Sequence, residues 1–380
     1  MVSFFICGDI LNYTNKSGNI CSNSLTNIIR SADYSICNFE APVSSFGKPI
    51  PKSGKNHYQR PETIEGLKKA GFNLLLLANN HIMDYGEPGL NTTIKNIKNN
   101  DVEFIGAGLN TDQAYKPLIK EISGIKIGII NCCEAQFGMI GYFTDNKSPG
   151  YAWINHSLID KSIIKLKNYC DFVIVFPHAG LENYPIPQKE WRERYKYFCD
   201  IGADIIVGSH PHVPQGYEYY REKCLIFYSL GNFYFDSKNY LNNPNHSYAL
   251  WLKLEKGKLP KFKPVFHYTI NGQVNISPPE KQTNLKYLCN LLNDESYSNY
   301  HDNMSLETYD KVINKLLKSM GAISFDGSVY KTARHILSSI FKRKKKRDRL
   351  LLQLHLLRNE SYYYAAKNAL EIINRKSKHK

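Results

Sequence analysis

Six side chains with metal-ligand chemistry are spread along the chain: Asp9, Glu40, Asn80, His178, His210 and His212. Carboxylate, amide and imidazole together suit divalent cations of intermediate hardness, so the set predicts one or two ions, manganese, zinc or iron. Ions of that kind bring the pKa of a coordinated water from 15.7 towards about 7, making hydroxide available at neutral pH. His210 and His212, in Gly208-Ser209-His210-Pro211-His212, can reach neighbouring positions around such a centre, or they can be two partly exposed histidines in a proline-bearing turn. Their company favours the metal: Asp9, Glu40, Asn80 and His178 occupy equivalent places, each just after an apolar run. Glu182, four residues past His178, is placed to orient that imidazole from behind. Asn79 reads as a turn residue, and Asp84 and Gly86 as a helix cap or loop support.

The runs that deliver these residues are strand candidates: Val2–Cys7, Tyr34–Phe39, Phe72–Leu77, Val102–Ile105, Ile125–Ile130, Phe172–Phe176, Asp204–Val207 and Cys224–Tyr228. Most are continuous Ile/Val/Leu/Phe runs, as expected of strands covered on both faces. Helical patterns lie between them at Ser22–Ser31, Pro61–Ala70, Pro88–Asn99, Ser157–Asn168 and Gln188–Ile201. The alternation predicts a layered α/β fold, completed at an edge by Tyr248–Leu254 and Phe262–Tyr268. In such sheets the carboxyl ends of the strands converge on a ligand crevice, so five strands each deliver a polar group to one rim. Residues 1–278 form this body. Residues 279–380 differ in character, with helical patterns at Lys281–Leu292, Ser305–Met320 and Leu350–Asn374, and form a basic helical extension.

Composition narrows the class. At 42% hydrophobic and 22% charged residues, the chain has the apolar material for a core, which excludes disorder. Of 49 basic and 34 acidic residues, 15 and 3 lie beyond position 330, so the body is nearly neutral and the basicity belongs to the tail. Nine cysteines without a Cys-x-x-Cys spacing, several in strand-like runs (Cys7, Cys37, Cys170), predict buried reduced thiols and a reducing compartment. No apolar stretch approaches the ~20 residues of a spanning helix. The N-terminus reads directly as a strand, not as a leader. The expectation is a cytoplasmic protein.

Several blocks together carry a family resemblance. Asn38-Phe39-Glu40, Leu77-Ala78-Asn79-Asn80-His81 with Asp84-Tyr85-Gly86, His178-Ala179-Gly180-Leu181-Glu182, Gly208-Ser209-His210-Pro211-His212 and Tyr228-Ser229-Leu230-Gly231-Asn232-Phe233 resemble, in order, the CapA-type capsule-synthesis family of poly-γ-glutamate production. That family is similar in turn to the calcineurin-like metallophosphoesterases, and the resemblance implies a two-sheet β-sandwich flanked by helices. It also implies roles. Asp9 would hold a first metal, Glu40 would bridge, and Asn80 and His178 would hold a second. His210 would join Asn80 and His178, and His212 would turn to the first. His81 would be the catalytic residue, facing the substrate as acid or charge stabiliser, with Asn79, Asp84, Glu182 and Asn232 supporting the site. Phosphoesterases usually have a histidine two residues after the first aspartate, and here Leu11 stands there. The first metal then keeps Asp9, Glu40 and His212, with water completing its shell, or the site is mononuclear.

Two functions fit these residues. One is a metal-dependent hydrolase or transferase acting on an anionic substrate, phosphorylated or glutamyl, in capsular polymer synthesis. The other is a binding or assembly factor that holds an anionic polymer at the same rim without turning it over. The basic run Lys342–Arg349, followed by Leu350-Leu351-Leu352, suits peripheral contact with the inner membrane surface or the capsule machinery, capture of a polyanion, or simple packing as a solvated helix. No nucleic-acid reader motif is present, so no nucleic-acid partner is expected.

Overall fold

Alternate residues of the strand Val2–Leu11 point to opposite sides, as strand geometry requires. Phe4 and Ile6 enter one core and Phe5 and Cys7 another. Every residue of this strand but Ser3 is buried, because both of its faces are covered. The computed structural model describes residues 1–43, 47–236, 246–314, 317 and 349–377.

Two sheets result. The first runs Gln273–Ile276, Lys261–Ile270, Ser247–Leu254, Val2–Leu11, Tyr34–Phe39, Leu74–Leu76, Glu103–Ile105, with Asn232–Phe235 paired beside the end of Val2–Leu11. The second runs Tyr217–Tyr220, Cys224–Phe227, Ile205–Val207, Phe172–His178, Ile125–Cys133, Leu118–Ile122. A core of Phe4, Ile6, Ile36, Leu74, Ile127, Ile174, Ile205, Phe227 and Leu250 fills the space between them. The helices Asn23–Ser31, Glu62–Ala70 and Gly86–Asn99 cover the outside of the first sheet through Leu25, Ile29, Ile64, Leu67, Leu90 and Ile94. Ser157–Lys167 and Lys189–Asp200 cover the second through Ile159, Ile163, Trp191, Tyr195 and Phe198. The fold is thus a helix-flanked β-sandwich, the layered arrangement expected from the sequence.

Local signals explain the boundaries. Gly71, at φ 106°, ends Glu62–Ala70 in the left-handed conformation that glycine adopts most readily. Gly8 has another reason: a Cβ there would lie 1.9 Å from the carbonyl oxygen of Gly231, where the two backbones converge and Asp9 pairs with Asn232. The strands Leu118–Ile122 and Tyr217–Tyr220 mix polar with apolar residues and sit at sheet edges, so continuous apolar runs do not reveal them.

Beyond the sandwich, Asp294–Thr308 packs against Glu360–Ser377. The expected helix Leu350–Asn374 is two helices, Arg349–Arg358 and Glu360–Ser377. Asn359 separates them: its side chain accepts from the backbone N–H of Tyr362 at 2.8 Å and caps the second helix. All of the basic run 342–349 but its last residue lies outside the described residues, as does much of the expected helix Ser305–Met320. Cys7, Cys37 and Cys170 are buried and free. Cys199 and Cys224 depart from the all-reduced expectation: they form a disulfide with Cα atoms 5.9 Å apart, because the helix Lys189–Asp200 lies against the strand Cys224–Phe227. No helix among the described residues is long and apolar enough to cross a membrane.

Candidate metal centre

Asp9 reaches the site from Val2–Leu11, Glu40 just after Tyr34–Phe39, Asn80 after Leu74–Leu76, and His178 at the end of Phe172–His178. His210 and His212 follow Ile205–Val207 on a loop held in an unusual conformation, with φ of 97° and 61°. Non-glycine residues with positive φ are uncommon, and here two of them aim consecutive imidazoles into one space. Ala41, immediately after Glu40, has φ 111°.

All six side chains meet. Asn80 Oδ1 lies 3.1 Å from His178 Nε2, which is 3.1 Å from His210 Nδ1. His212 Nδ1 is 3.6 Å from Asp9 Oδ2, and its Nε2 is 3.8 Å from Glu40 Oε1. Two sets of ligand atoms lie within 4.8 Å of one another, Glu40 with His178 and His210, and Asp9 with Glu40 and His212. Glu40 belongs to both. Leu11 packs with Ala41 and Phe235 in a small apolar cluster, so its position brings no donor to the site.

Electrostatics give the cluster its meaning. Both carboxylate oxygens of Glu40 are buried with no hydrogen-bond partner. Burial, reinforced by Asp9 and other nearby acids, pushes its pKa well up. Asp9 is raised too, through burial, although His212, the Asn38 amide and the His210 backbone N–H oppose the shift. Burial and mutual repulsion hold His178 far below the usual imidazole range, and burial and His212 bring His210 to about 3. Neutral imidazoles beside acids short of positive charge are a donor set that fits divalent cations.

The supporting residues divide into those expected and those not. Asn79 donates to the Phe39 carbonyl at 2.9 Å and accepts from the His81 N–H, fixing the turn. Asn232 Oδ1 lies 2.9 Å from His212 Nδ1. Asp84 sits 2.7 Å from His81 Nδ1, receives the His57 N–H at 2.6 Å and pairs with Lys52. His81 stands beside the ligand cluster, and its Nε2 makes no hydrogen bond to the described residues. Glu182 differs from expectation: it is exposed, and the groups at His178 Nδ1 are Ser209 Oγ at 3.0 Å and the Asn38 amide at 3.3 Å.

Sequence reasoning also misses Glu134, Lys52 and His57. Glu134 is fully buried, 3.6 Å from His210 Nε2, and burial pushes its pKa up to about 8. It follows the strand Ile125–Cys133 and so obeys the strand-end rule. The signal was there, but the aliphatic run ends at Ile130, three residues before the strand does. Lys52 Nζ reaches His81 Nδ1 at 3.1 Å, and the His57 ring meets that of His81 edge to face at 4.3 Å, so His57 is no isolated packing residue. Glu134 is held in turn by Gln136, the Gly180 N–H and Ser361 Oγ. The neighbouring Glu360 accepts from the N–H of Ala135 at 2.6 Å, from Trp153 Nε1 at 3.1 Å and from Asn155 at 2.9 Å. The start of the helix Glu360–Ser377 is therefore built into the wall behind the site.

Residues 6–237 match the family model of the bacterial capsule synthesis protein PGA_cap. The chain belongs to this family. Relatives include the capsule biosynthesis protein CapA of Bacillus anthracis, 37% identical over 217 residues, covering 55% of this chain and 52% of the relative. The PGA biosynthesis protein CapA of Bacillus subtilis is 34% identical over 212 residues, covering 55% of each. The chain thus spans about half the length of the curated relatives it matches. Among solved structures, a novel phosphatase of Mycoplasma pneumoniae superposes with a TM-score of 0.44 at 19% identity, over 74% of this chain and 95% of that one. A 5'-nucleotidase of Candida albicans gives a TM-score of 0.42 at 14% identity, over 78% and 58%. The family match covers all six candidate ligands and stops short of the helix Glu360–Ser377.

Proposed function

We propose that this member of the capsule-synthesis family is a metal-dependent hydrolase or transferase acting on an anionic substrate in the synthesis of a capsular or poly-γ-glutamate-type polymer. One observation carries the reading: Glu40 is shared by two overlapping ligand sets, and neither of its buried oxygens has a hydrogen-bond partner. Asp9, Glu40 and His212 would hold one divalent cation, and Glu40, Asn80, His178 and His210 a second. Such cations supply Lewis acidity and a hydroxide source at neutral pH.

The chain's own residues do the rest. Asn38, Ser209 and Asn232 fix the orientation of Asp9, His178 and His212. Asp84 and Lys52 lock His81 by its Nδ1 and leave Nε2 for a substrate oxygen. Burial and the Lys52 charge keep His81 neutral, and an anion beside it raises its proton affinity, so substrate binding itself arms the acid. Metal analysis of the purified full chain, with turnover of bis(p-nitrophenyl) phosphate and γ-glutamyl anilide in added Mn²⁺, tests the reading. Bound metal is expected, together with activity that disappears in His178→Ala. Metal-free protein, or unchanged turnover in that variant, overturns it.

The packed Leu11 favours a second reading, in which the rim holds a polymer without cleaving it. Turnover abolished by Asn80→Ala rejects that reading.

A further inference from the structure

Beside the ligand cluster, groups from three separate segments converge on the ring of Phe137, three residues past Glu134. Lys52 Nζ lies 5.9 Å from the ring centroid and Arg358 Cζ 5.4 Å. His355 stacks on the ring at 5.7 Å, with 9° between the planes. Lys52 is the same group that touches His81, so this cluster adjoins the face on which substrate chemistry is assigned. Charge is unevenly matched there. Lys52 is paired with Asp84, but Arg358 has no acidic partner among the described residues although it is half-buried. Burial and the two nearby cations bring the His355 imidazole down to about 4, so at neutral pH it remains an uncharged hydrogen-bonding group.

A half-buried guanidinium without a carboxylate, held on an aromatic ring next to a lysine, is built to receive an anion. The planar fork of arginine matches carboxylate and phosphate oxygens two at a time. We propose that Lys52, Phe137, His355 and Arg358 form an anion subsite that holds a second anionic group of a polyanionic substrate, a carboxylate or a phosphate next to the one at the reacting centre. The inference rests on the site's acting on an anionic substrate. Because Arg358 and His355 lie outside the residues shared with the family model, 6–237, the subsite is an addition that this chain makes to the common core.

Binding by the full chain in Mn²⁺, measured calorimetrically, tests it with three probes: a γ-linked glutamate pentamer, tripolyphosphate and inorganic phosphate. Arg358→Gln is expected to weaken one or both multivalent probes by about tenfold, the loss typical of one charge-assisted contact. Inorganic phosphate, too small to span both places, should be unaffected, and Arg358→Lys should recover part of the loss. A larger loss for the pentamer identifies carboxylate as the natural group, and a larger loss for tripolyphosphate identifies phosphate. The subsite is overturned if wild type binds neither multivalent probe, if Arg358→Gln binds both as wild type does, or if inorganic phosphate weakens equally. The readout is affinity, so a protein that binds the probes without turning anything over refutes the catalytic reading and leaves the subsite standing.

Discussion

Replacing Glu40 by Gln should invert the protein's thermal response to metal. In the wild type two buried carboxylate oxygens lack partners, with the Asp9 carboxylate in the same cluster. A buried polar group left unsatisfied costs about 1–3 kcal/mol. Gln keeps the shape, removes the like charge and offers an amide donor to Asp9, so in chelator the variant should be the more stable protein by that order. At roughly 2–4 °C per kcal/mol, the difference is several degrees. In metal the order reverses. A cation at about 100 times its Kd adds about 2.7 kcal/mol to the native state. Because Glu40 belongs to both ligand sets, Glu40→Gln forfeits that contribution at both positions, whereas His210→Gln or His212→Gln forfeits it at one. Calorimetric melts of the full chain in EDTA and in Mn²⁺, with metal content measured after gel filtration, check all of this. A Glu40→Gln protein that melts no higher than wild type in EDTA, or that retains the wild-type metal content, refutes the reasoning.

Three further outcomes are expected. Ser361→Ala leaves Glu134 and Trp191 Nε1 each short of a partner, and urea unfolding should show a loss of about 2–4 kcal/mol; an unchanged midpoint would make that contact unimportant. Asp84→Asn breaks the support behind His81 without touching a ligand, so kcat on a phosphodiester probe should fall 10–100-fold with metal content preserved, and wild-type kcat would show that His81 needs no such support. His267 is buried against Phe233 with both ring nitrogens unpartnered, and burial brings it to about 3. Since the unfolded chain binds the proton more readily, wild type loses stability as pH falls below about 6.5, by about 1.4 kcal/mol per unit from this group. His267→Phe should flatten that part of the pH–stability curve in chemical denaturation, and an unaltered slope would exclude His267 as its source.

Much of the site was legible because strand ends are. Continuous apolar runs mark strands covered on both faces, and a polar residue just beyond each run marks the rim, which is how Asp9, Glu40, Asn80, His178, His210 and His212 could be named together. The same rule extends to Glu134, hidden only because Asn131, Cys132 and Cys133 do not look like a continued aliphatic strand. Lys52 and His57 were not readable: they lie in an irregular Pro- and Lys-containing loop without periodicity, and only the packing at His81 gives them a role. Nor could local pattern show that Glu360 and Ser361 dock behind residues more than two hundred positions earlier, since nothing in a helix sequence states what its first turn touches. Two sheets rather than one likewise depend on long-range pairing, in which Val2–Leu11 and Ser247–Leu254 are neighbours.

The twisted backbone at His210 and His212 has a consequence for how this protein can be improved. Holding an L-residue in such a region costs on the order of 1–3 kcal/mol, and glycine relieves that cost without altering any neighbour. Laboratory selection for heat resistance alone would therefore drift towards glycine at the two positions where an imidazole matters most, trading chemistry for robustness. Any engineering campaign on this chain has to score ion retention alongside melting temperature, or its best survivors will be inert.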